Sequence, residues 1–226
     1  MSTSTVETSN GRVVVAIGSG AGNALNHMVR AGGIDAAFIA ANTDAQDLKR
    51  SASPVRLLLG QKLTKGLGAS GDAETGRDAV AGDREALAAV VAGAEVVIVI
   101  VALGGGTGSG GAPVVVKLAR EAGAAVIAIV TQPWPFEGRR RRRVADEGMA
   151  ELAKVCDLVV VAHDGSAAQP APGKSLQEAF ADADAAVAAT VADLVTELHR
   201  ASGDHASLEV AARAWVGTRA ATAKGA

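Results

Sequence analysis

The chain has 226 residues, a formal net charge of −2, 49% hydrophobic residues and only 2% aromatic ones. That length suits one large domain or a domain with an appendage, and the near-neutral charge excludes a global electrostatic pull toward nucleic acid. The single cysteine, Cys156, excludes an internal disulfide and cannot alone make a zinc site.

Residues 1–11 are polar, lack the basic-then-apolar order of a signal peptide and read as a disordered tail. No apolar run reaches the ~20 residues of a membrane span, so a cytoplasmic protein without a membrane span is expected. Val13 to Ile17 is predicted as a strand, Gly18 to Gly22 as a turn, and Asn23 to Arg30 as the start of a helix. Further strands are expected over 36–41 and 55–59, followed by a long Gly- and Thr-rich loop over 60–76 of the length that usually carries function. Then come a helix from Arg77 to Val91, a strand from Val96 to Val101, a glycine run, and a helix from Val114 to Glu121. A strand from Ala125 to Thr131, a helix from Arg139 to Lys154 and a strand from Leu158 to Ala162 complete the alternation. Cys156, just before an apolar strand, reads as a small buried hydrophobe rather than a nucleophile. Ser175 is placed to cap a long helix reaching about Ala201. Its apolar residues Leu176, Phe180, Val187, Val191, Leu194, Val195 and Leu198 fall mostly on one stripe, opposite Glu178, Asp182, Asp193, Thr196 and Arg200. A short helix over 208–216 and a frayed end follow.

With few rings, the core has to be built from Val, Ile, Leu and Ala, which suits parallel strands buried on both faces. Alternating strands and helices imply an α/β fold with a parallel Rossmann-like sheet and helices on both sides. Ligands in such folds bind at the carboxyl ends of the strands, where every Gly-rich segment of this chain falls. The expected organisation is a tail over 1–11, a domain over 12–174, a long helix packed on it over 175–201, and a short tail over 202–226.

Six glycines fall within the eight residues from Gly104 to Gly111. Glycine N–H groups can converge on an anion because no Cβ intervenes, and a helix starting near Gly111 adds the positive end of its dipole. Thr107 and Ser109 add hydroxyl donors. Together these suit the phosphates of a nucleotide. No Lys-Ser or Lys-Thr pair follows the glycines, so this is not a P-loop.

The run Gly104-Gly105-Gly106-Thr107-Gly108-Ser109-Gly110-Gly111-Ala112-Pro113 closely resembles the phosphate-binding signature of the tubulin and FtsZ superfamily. Other segments resemble the FtsZ branch. Gly18-Ser19-Gly20-Ala21-Gly22-Asn23 looks like its first phosphate loop, with Ala21 where FtsZ proteins usually carry Gly. Phe38 to Gln46 resembles its second loop, which puts Asn42 and Asp44 near the nucleotide and gives Asp44 a metal through water. Asn42-Thr43-Asp44 also reads as a plain helix cap, and both roles can hold together. Leu63 to Ala69 resembles the loop wrapping the terminal phosphate, so Ala69, Ser70 and Gly71 would supply N–H groups there. Thr131 to Arg141 resembles the ribose-binding segment, mapping its Glu and Arg to Glu137 and Arg141. The five arginines from Arg139 to Arg143 point in all directions on a helix and form no nucleic-acid stripe.

The resemblance runs from Val13 to about Val161 and implies a domain that binds GTP or GDP, with Mg2+ as a companion, in a family that assembles head to tail. Phe180 is placed to stack on the base. In this resemblance His163 stands where the family has a base-reading Asn, and the base-reading Asp falls on Ala185, one residue after Asp184. A one-residue move turns a helical side chain by about 100°, so weakened guanine selectivity is expected. The acidic loop that completes a neighbour's site matches 204–210 poorly, leaving Glu209 as the candidate catalytic acid in trans. The resemblance stops at the long helix, so a self-contained nucleotide domain without the family's second domain is expected. Three readings stay open: a nucleotide-binding protein with little hydrolysis that caps, dimerises or meets a full-length FtsZ; a polymerising GTPase using Glu209; or a nucleotide-free interaction module.

Overall fold

The computed structural model describes residues 10–166, 171, 173–201, 207, 208 and 210–216. Six strands, β1 (Arg12–Ile17), β2 (Ala37–Asn42), β3 (Val55–Leu58), β4 (Val96–Ala102), β5 (Ala125–Thr131) and β6 (Leu158–His163), form one sheet. Its order is β3-β2-β1-β4-β5-β6 and every pairing is parallel. The chain winds outward from β1 to β3, then returns to the other side of β1 to begin β4. The carboxyl ends of β1 and β4 therefore flank the point where the winding reverses, and a crevice opens there.

Alternating side chains divide between two cores, as the pleat requires. Val13, Val15 and Ile17 join Val97, Val99 and Val101 on one face. That face is covered by α4 (Ala73–Gly82), α5 (Arg84–Val91), α6 (Gly106–Glu121) and α7 (Arg139–Val155). Val14, Ala16, Ile98, Ile100, Ile127 and Ile129 face the opposite way, under α1 (Ser19–Ala31), α2 (Ala45–Lys49) and α8 (Leu176–Ala201). Residues 207, 208 and 210–216 are helical, and Leu208, Ala212 and Trp215 join this second core. Part of the expected short tail is thus docked, because its apolar residues recur at helical spacing and find the same face as α8.

The helices differ from the sequence expectation in three regions, two of them glycine-rich helix starts. α1 begins at Ser19, so Gly20, Ala21 and Gly22 form its first turns rather than a separate turn. α6 begins at Gly106, so the glycine run is itself helix. The expected loop over 60–76 contains α3 (Gln61–Thr64) and the start of α4, and the helix expected over 77–91 belongs to two, broken at Asp83. Glycine costs about 1 kcal/mol in a helix interior, and packing offsets that cost here. A Cβ on Gly110 would lie 1.8 Å from the Ala73 carbonyl oxygen, and one on Gly76 would lie 2.1 Å from that of Gly106. α4 and α6 therefore touch backbone to backbone, which only glycine permits.

α8 carries the capping expected of Ser175: its hydroxyl accepts from Glu178 N–H at 3.2 Å, while the Glu178 carboxylate accepts from Ser175 N–H at 2.8 Å. Val187, Val191, Leu194, Val195 and Leu198 are buried on the sheet. The stripe ends there: Leu176 and Phe180 are 53% and 41% exposed, because the first turns of α8 run past the edge of the core.

Candidate functional site

A cleft of about 510 Å3 opens over the carboxyl ends of β1 and β4. Gly18, Ser19 and Gly20 form one wall, Gly104 to Gly108 the floor, and Leu67 to Gly71 another wall, with Asn42, Asp44, Glu137, Arg140 and Arg141 around it. The N-termini of α1 and α6 meet here. Both are preceded by glycine, Gly18 and Gly105, and neither has a side-chain cap. Their first-turn N–H groups are left for a ligand, and both dipoles present their positive ends. Beside them α2 and α4 carry side-chain caps: Asp44 accepts from Gln46 and Asp47 N–H, and Asp72 from Thr75 N–H. α3, α5 and α7 also lack one, so what sets α1 and α6 apart is that both open onto the same cleft.

Side chains hold this backbone in place. Gly104 turns the chain after β4 with a left-handed φ of 96°, and its N–H donates to Ser109 Oγ at 2.8 Å. Ser109 is buried by that bond and does not line the cleft, so its hydroxyl is a loop support rather than the ligand donor expected of it. Thr107 lines the cleft, yet its hydroxyl lies 2.6 Å from that of Thr43, tying α6 to the loop after β2. Asn42 donates to Ser19 Oγ at 3.3 Å and accepts from Asp44 N–H at 3.2 Å. Asp44 both caps α2 and lines the cleft, so the two readings of this segment coexist. Glu137 accepts from Trp134 N–H at 2.9 Å and pairs with Arg141 at 3.2 Å.

A smaller pocket of about 110 Å3 adjoins the cleft and shares Gly20, Ala102, Glu137 and Arg141 with it. Ala21 and Asn23 of α1, Thr131 to Trp134, His163, and Phe180, Ala183 and Asp184 of α8 complete its lining. The Trp134 ring packs against His163 at 4.5 Å and against Phe136 at 5.7 Å; Phe136 in turn meets Phe180 edge-on at 6.3 Å. His163 Nδ1 accepts from Gly165 N–H at 3.2 Å. A nitrogen that accepts carries no proton, so Nε2 is the donor of this imidazole. Asp184 lies one turn beyond Phe180 on the same side of α8, and burial pushes its carboxyl up to about 6 despite the opposing pull of His27. This corrects the placement taken from the resemblance: Ala185 is exposed and lines neither cavity, whereas Asp184 lines the smaller pocket without any shift of the helix.

The structure therefore brings together Gly18, Gly20, Ala21, Asn23, Asn42, Asp44, Ala69, Ser70, Gly71, Gly104 to Gly108, Glu137, Arg141, His163, Phe180 and Asp184 across two joined cavities. Gly22 lies further along α1 and, like Ser109, lines neither. Glu209 lies outside the described residues. Sequence reading missed Arg140, hidden among four other arginines, and Gln132 and Trp134, whose pocket positions have no periodic signal.

Among the described residues no group of three or more His, Cys, Asp or Glu could hold a metal, and no helix is long and apolar enough to cross a membrane. Burial raises the Cys156 thiol to about 11, and its Sγ donates to the Val126 carbonyl at 3.4 Å, consistent with a structural cysteine.

A family model described as "Tubulin/FtsZ family, GTPase domain" matches residues 12–169. Cell division protein FtsZ of Pseudomonas aeruginosa is 41% identical over 179 residues, covering 79% of this chain and 45% of that protein. FtsZ of Pseudomonas putida is 44% identical over the same shares. The chain thus spans about half the length of these relatives. Among solved structures, an empty FtsZ dimer from M. jannaschii matches with a TM-score of 0.78 and 35% identity over 82% of this chain and 54% of that one. CetZ2 from Haloferax volcanii, in a GTPγS-bound protofilament, matches with a TM-score of 0.72 and 29% identity over 81% of this chain and 57% of that one.

Proposed function

Because the chain belongs to the tubulin/FtsZ family, with the family's GTPase domain spanning most of it, we propose that it is a guanine-nucleotide-binding protein of the cell-division or cytoskeletal type. The observation that carries this reading is the meeting of two uncapped helix N-termini, α1 and α6, over one glycine-floored cleft. A di- or triphosphate would lie across them, the ribose against Glu137 and Arg141, and the base in the smaller pocket beside Phe180.

That pocket offers a hydrogen-bond pattern suited to guanine. The Asp184 carboxylate would accept from N1–H and the 2-amino group, and the His163 Nε2–H would donate to O6. Adenine presents neither donor pair nor O6, so it would leave the half-buried Asp184 unpaired, which costs about 1 kcal/mol. Selectivity for guanine is thus part of the proposal, with His163 doing by a single donor what an amide does elsewhere in the family.

Mg2+ fits as a companion of the phosphates rather than as a protein-caged ion. Asp44 is the carboxylate on the cleft free of an ion pair with a described residue, and phosphate oxygens and water would supply the remaining ligands. Hydrolysis by the single chain should be slow. The two carboxylates lining the cleft are both engaged, Asp44 with the N-terminus of α2 and Glu137 with Trp134 and Arg141, so neither is poised as a general base. Self-association is proposed to be limited to dimers, short oligomers or contact with a full-length FtsZ, in the cytoplasm.

The deciding experiment denatures the purified protein, chromatographs the released nucleotide, and titrates GDP, GTP and ATP. Recovery of GDP or GTP, with ATP failing to compete, is expected. A protein that carries no nucleotide and binds none at millimolar concentration would overturn the reading in favour of an interaction module.

A further inference from the structure

We infer that Arg140 recognises the terminal phosphate and so makes the cleft prefer a nucleoside triphosphate to a diphosphate. This rests on the nucleotide-binding reading above and assigns one residue a discriminating role within it.

The five arginines at the start of α7 have unequal neighbours. Arg141 pairs with Glu137 at 3.2 Å, Arg142 with Asp146 at 3.1 Å and Arg143 with Glu147 at 3.8 Å, each four residues away along the helix. The corresponding neighbours of Arg140 are Phe136 and Val144, which offer no charge. Arg140 forms no ion pair with a described residue, and it lines the large cleft together with Val144 and Arg141. Arg139 also lacks an acidic neighbour at four residues, but it does not line the cleft. Arg140 is thus the cation on the cleft whose guanidinium is free for a ligand.

Its position along the cleft is also distinct. Arg141 and Glu137 line both cavities, so they sit at the junction with the smaller pocket. Arg140 lines only the large cleft, as do Ala69, Ser70 and Gly71. A nucleotide whose base occupies the smaller pocket runs its phosphates away from that junction, toward Ala69–Gly71. Asp72 follows Gly71 directly. Its carboxyl is held below the usual range by the Thr75 hydroxyl and backbone N–H, with a further contribution from the Arg140 charge, which places Arg140 within electrostatic reach of that wall.

A triphosphate brings one more phosphoryl group, with its charge, to this far end. A guanidinium with no partner of its own gains a charge-assisted bond there and gives up only a distant attraction to Asp72. A diphosphate ends short of it. The neutral N–H groups of the glycine floor bind either nucleotide, and those of Ala69 to Gly71 add neutral donors at the far end; the cationic part of the discrimination falls on Arg140.

The test is calorimetric titration of the full chain with GDP and with the non-hydrolysable guanylyl imidodiphosphate, in Mg2+ at near-physiological salt, for wild type, Arg140→Gln and Arg140→Lys. Arg140→Gln should weaken the triphosphate analogue about tenfold and GDP less than about twofold. Arg140→Lys, which keeps the charge without the fork, should recover most of the difference. Equal weakening of both ligands, or no change in either, overturns the inference while leaving nucleotide binding intact. A wild-type protein that binds neither ligand overturns the nucleotide-binding reading itself, and this inference with it. Because Arg140 is exposed, both variants should keep the wild-type melting temperature.

Discussion

The large cleft and the small pocket beside it are built from different materials. The cleft is mostly backbone: helix N-termini, glycine turns and a loop, with side chains acting from behind as struts. The pocket is mostly side chains drawn from α1, the 131–137 segment, β6 and α8, which lie far apart in the chain. Backbone N–H groups bind any phosphate, whereas the identity of a base has to be read by particular donors and acceptors. The contrast therefore predicts that damage to the cleft scaffold threatens the fold, while damage to the pocket changes which ligand is chosen.

The largest expected effect is on the scaffold. Gly110→Ala puts a methyl group 1.8 Å from the Ala73 carbonyl oxygen, where backbone meets backbone and nothing can rotate away. Overpacking typically costs about 1–3 kcal/mol and occasionally more, and a clash with backbone falls at the upper end, so a large drop in melting temperature or loss of soluble protein is expected. A variant that melts like wild type would mean that α4 and α6 are not in contact as described.

Asp184→Ala sharpens the comparison from the other side. GDP affinity should fall about 10- to 100-fold, in line with losing a charged, half-buried hydrogen-bond acceptor, and ATP should become a comparable competitor. The fold should survive. Asp184 also gives the pocket a pH dependence. Burial raises its folded pKa to about 6 from 3.8, so the folded state holds the proton more tightly than the unfolded one. Two consequences follow from the sign. GDP affinity should decline as pH falls through 6, because the carboxylate that accepts from guanine becomes protonated, and this decline should vanish in Asp184→Ala. In the nucleotide-free protein the charged carboxylate lowers stability above about pH 6, and that cost disappears below 3.8. Asp184→Asn should therefore raise the apo melting temperature at pH 8 more than at pH 4.

Ser109→Ala tests a strut. It leaves the buried Gly104 N–H without its acceptor, a loss of about 1–3 kcal/mol. Thermal melts should show the loss, while the ratio of GDP to ATP affinity stays unchanged. The smallest effect is reserved for Arg142→Gln, which removes an exposed ion pair with Asp146 worth about 0.5 kcal/mol or less. It should alter neither stability nor nucleotide choice measurably, and it serves as the charge-matched control for Arg140→Gln.

Much of the cleft was legible because its signals are local. A Val-rich run followed by glycines marks a buried strand ending in a turn, and this happens after both β1 and β4. The starts of α1 and α6 were not legible. Glycine opposes helix locally, and only the close contact of α4 with α6 makes glycine the residue that fits. Two of the six glycines in the run thus have a purpose that differs from the expected one: Gly104, Gly105, Gly106 and Gly108 line the cleft, while Gly110 and Gly111 face Ala73 and Val80. Asp184 was misjudged for a related reason. Counting residues along a resemblance assigns a helical side chain its direction only if the register is right, and the register of α8 is fixed by Val187, Val191 and Leu194 on the sheet.

The α/β class, the parallel sheet and the strand edge that carries the site follow from local sequence, because hydrophobic runs and glycine turns are written in neighbouring residues. Only the tertiary structure decided which glycines serve a ligand and which serve packing, that Asp184 rather than Ala185 faces the pocket, and that Arg140 alone among the cleft-lining cations lacks an acidic partner among the described residues. Each of those outcomes depends on how two elements distant in the chain approach one another, and that distance is set by the packing of the whole core.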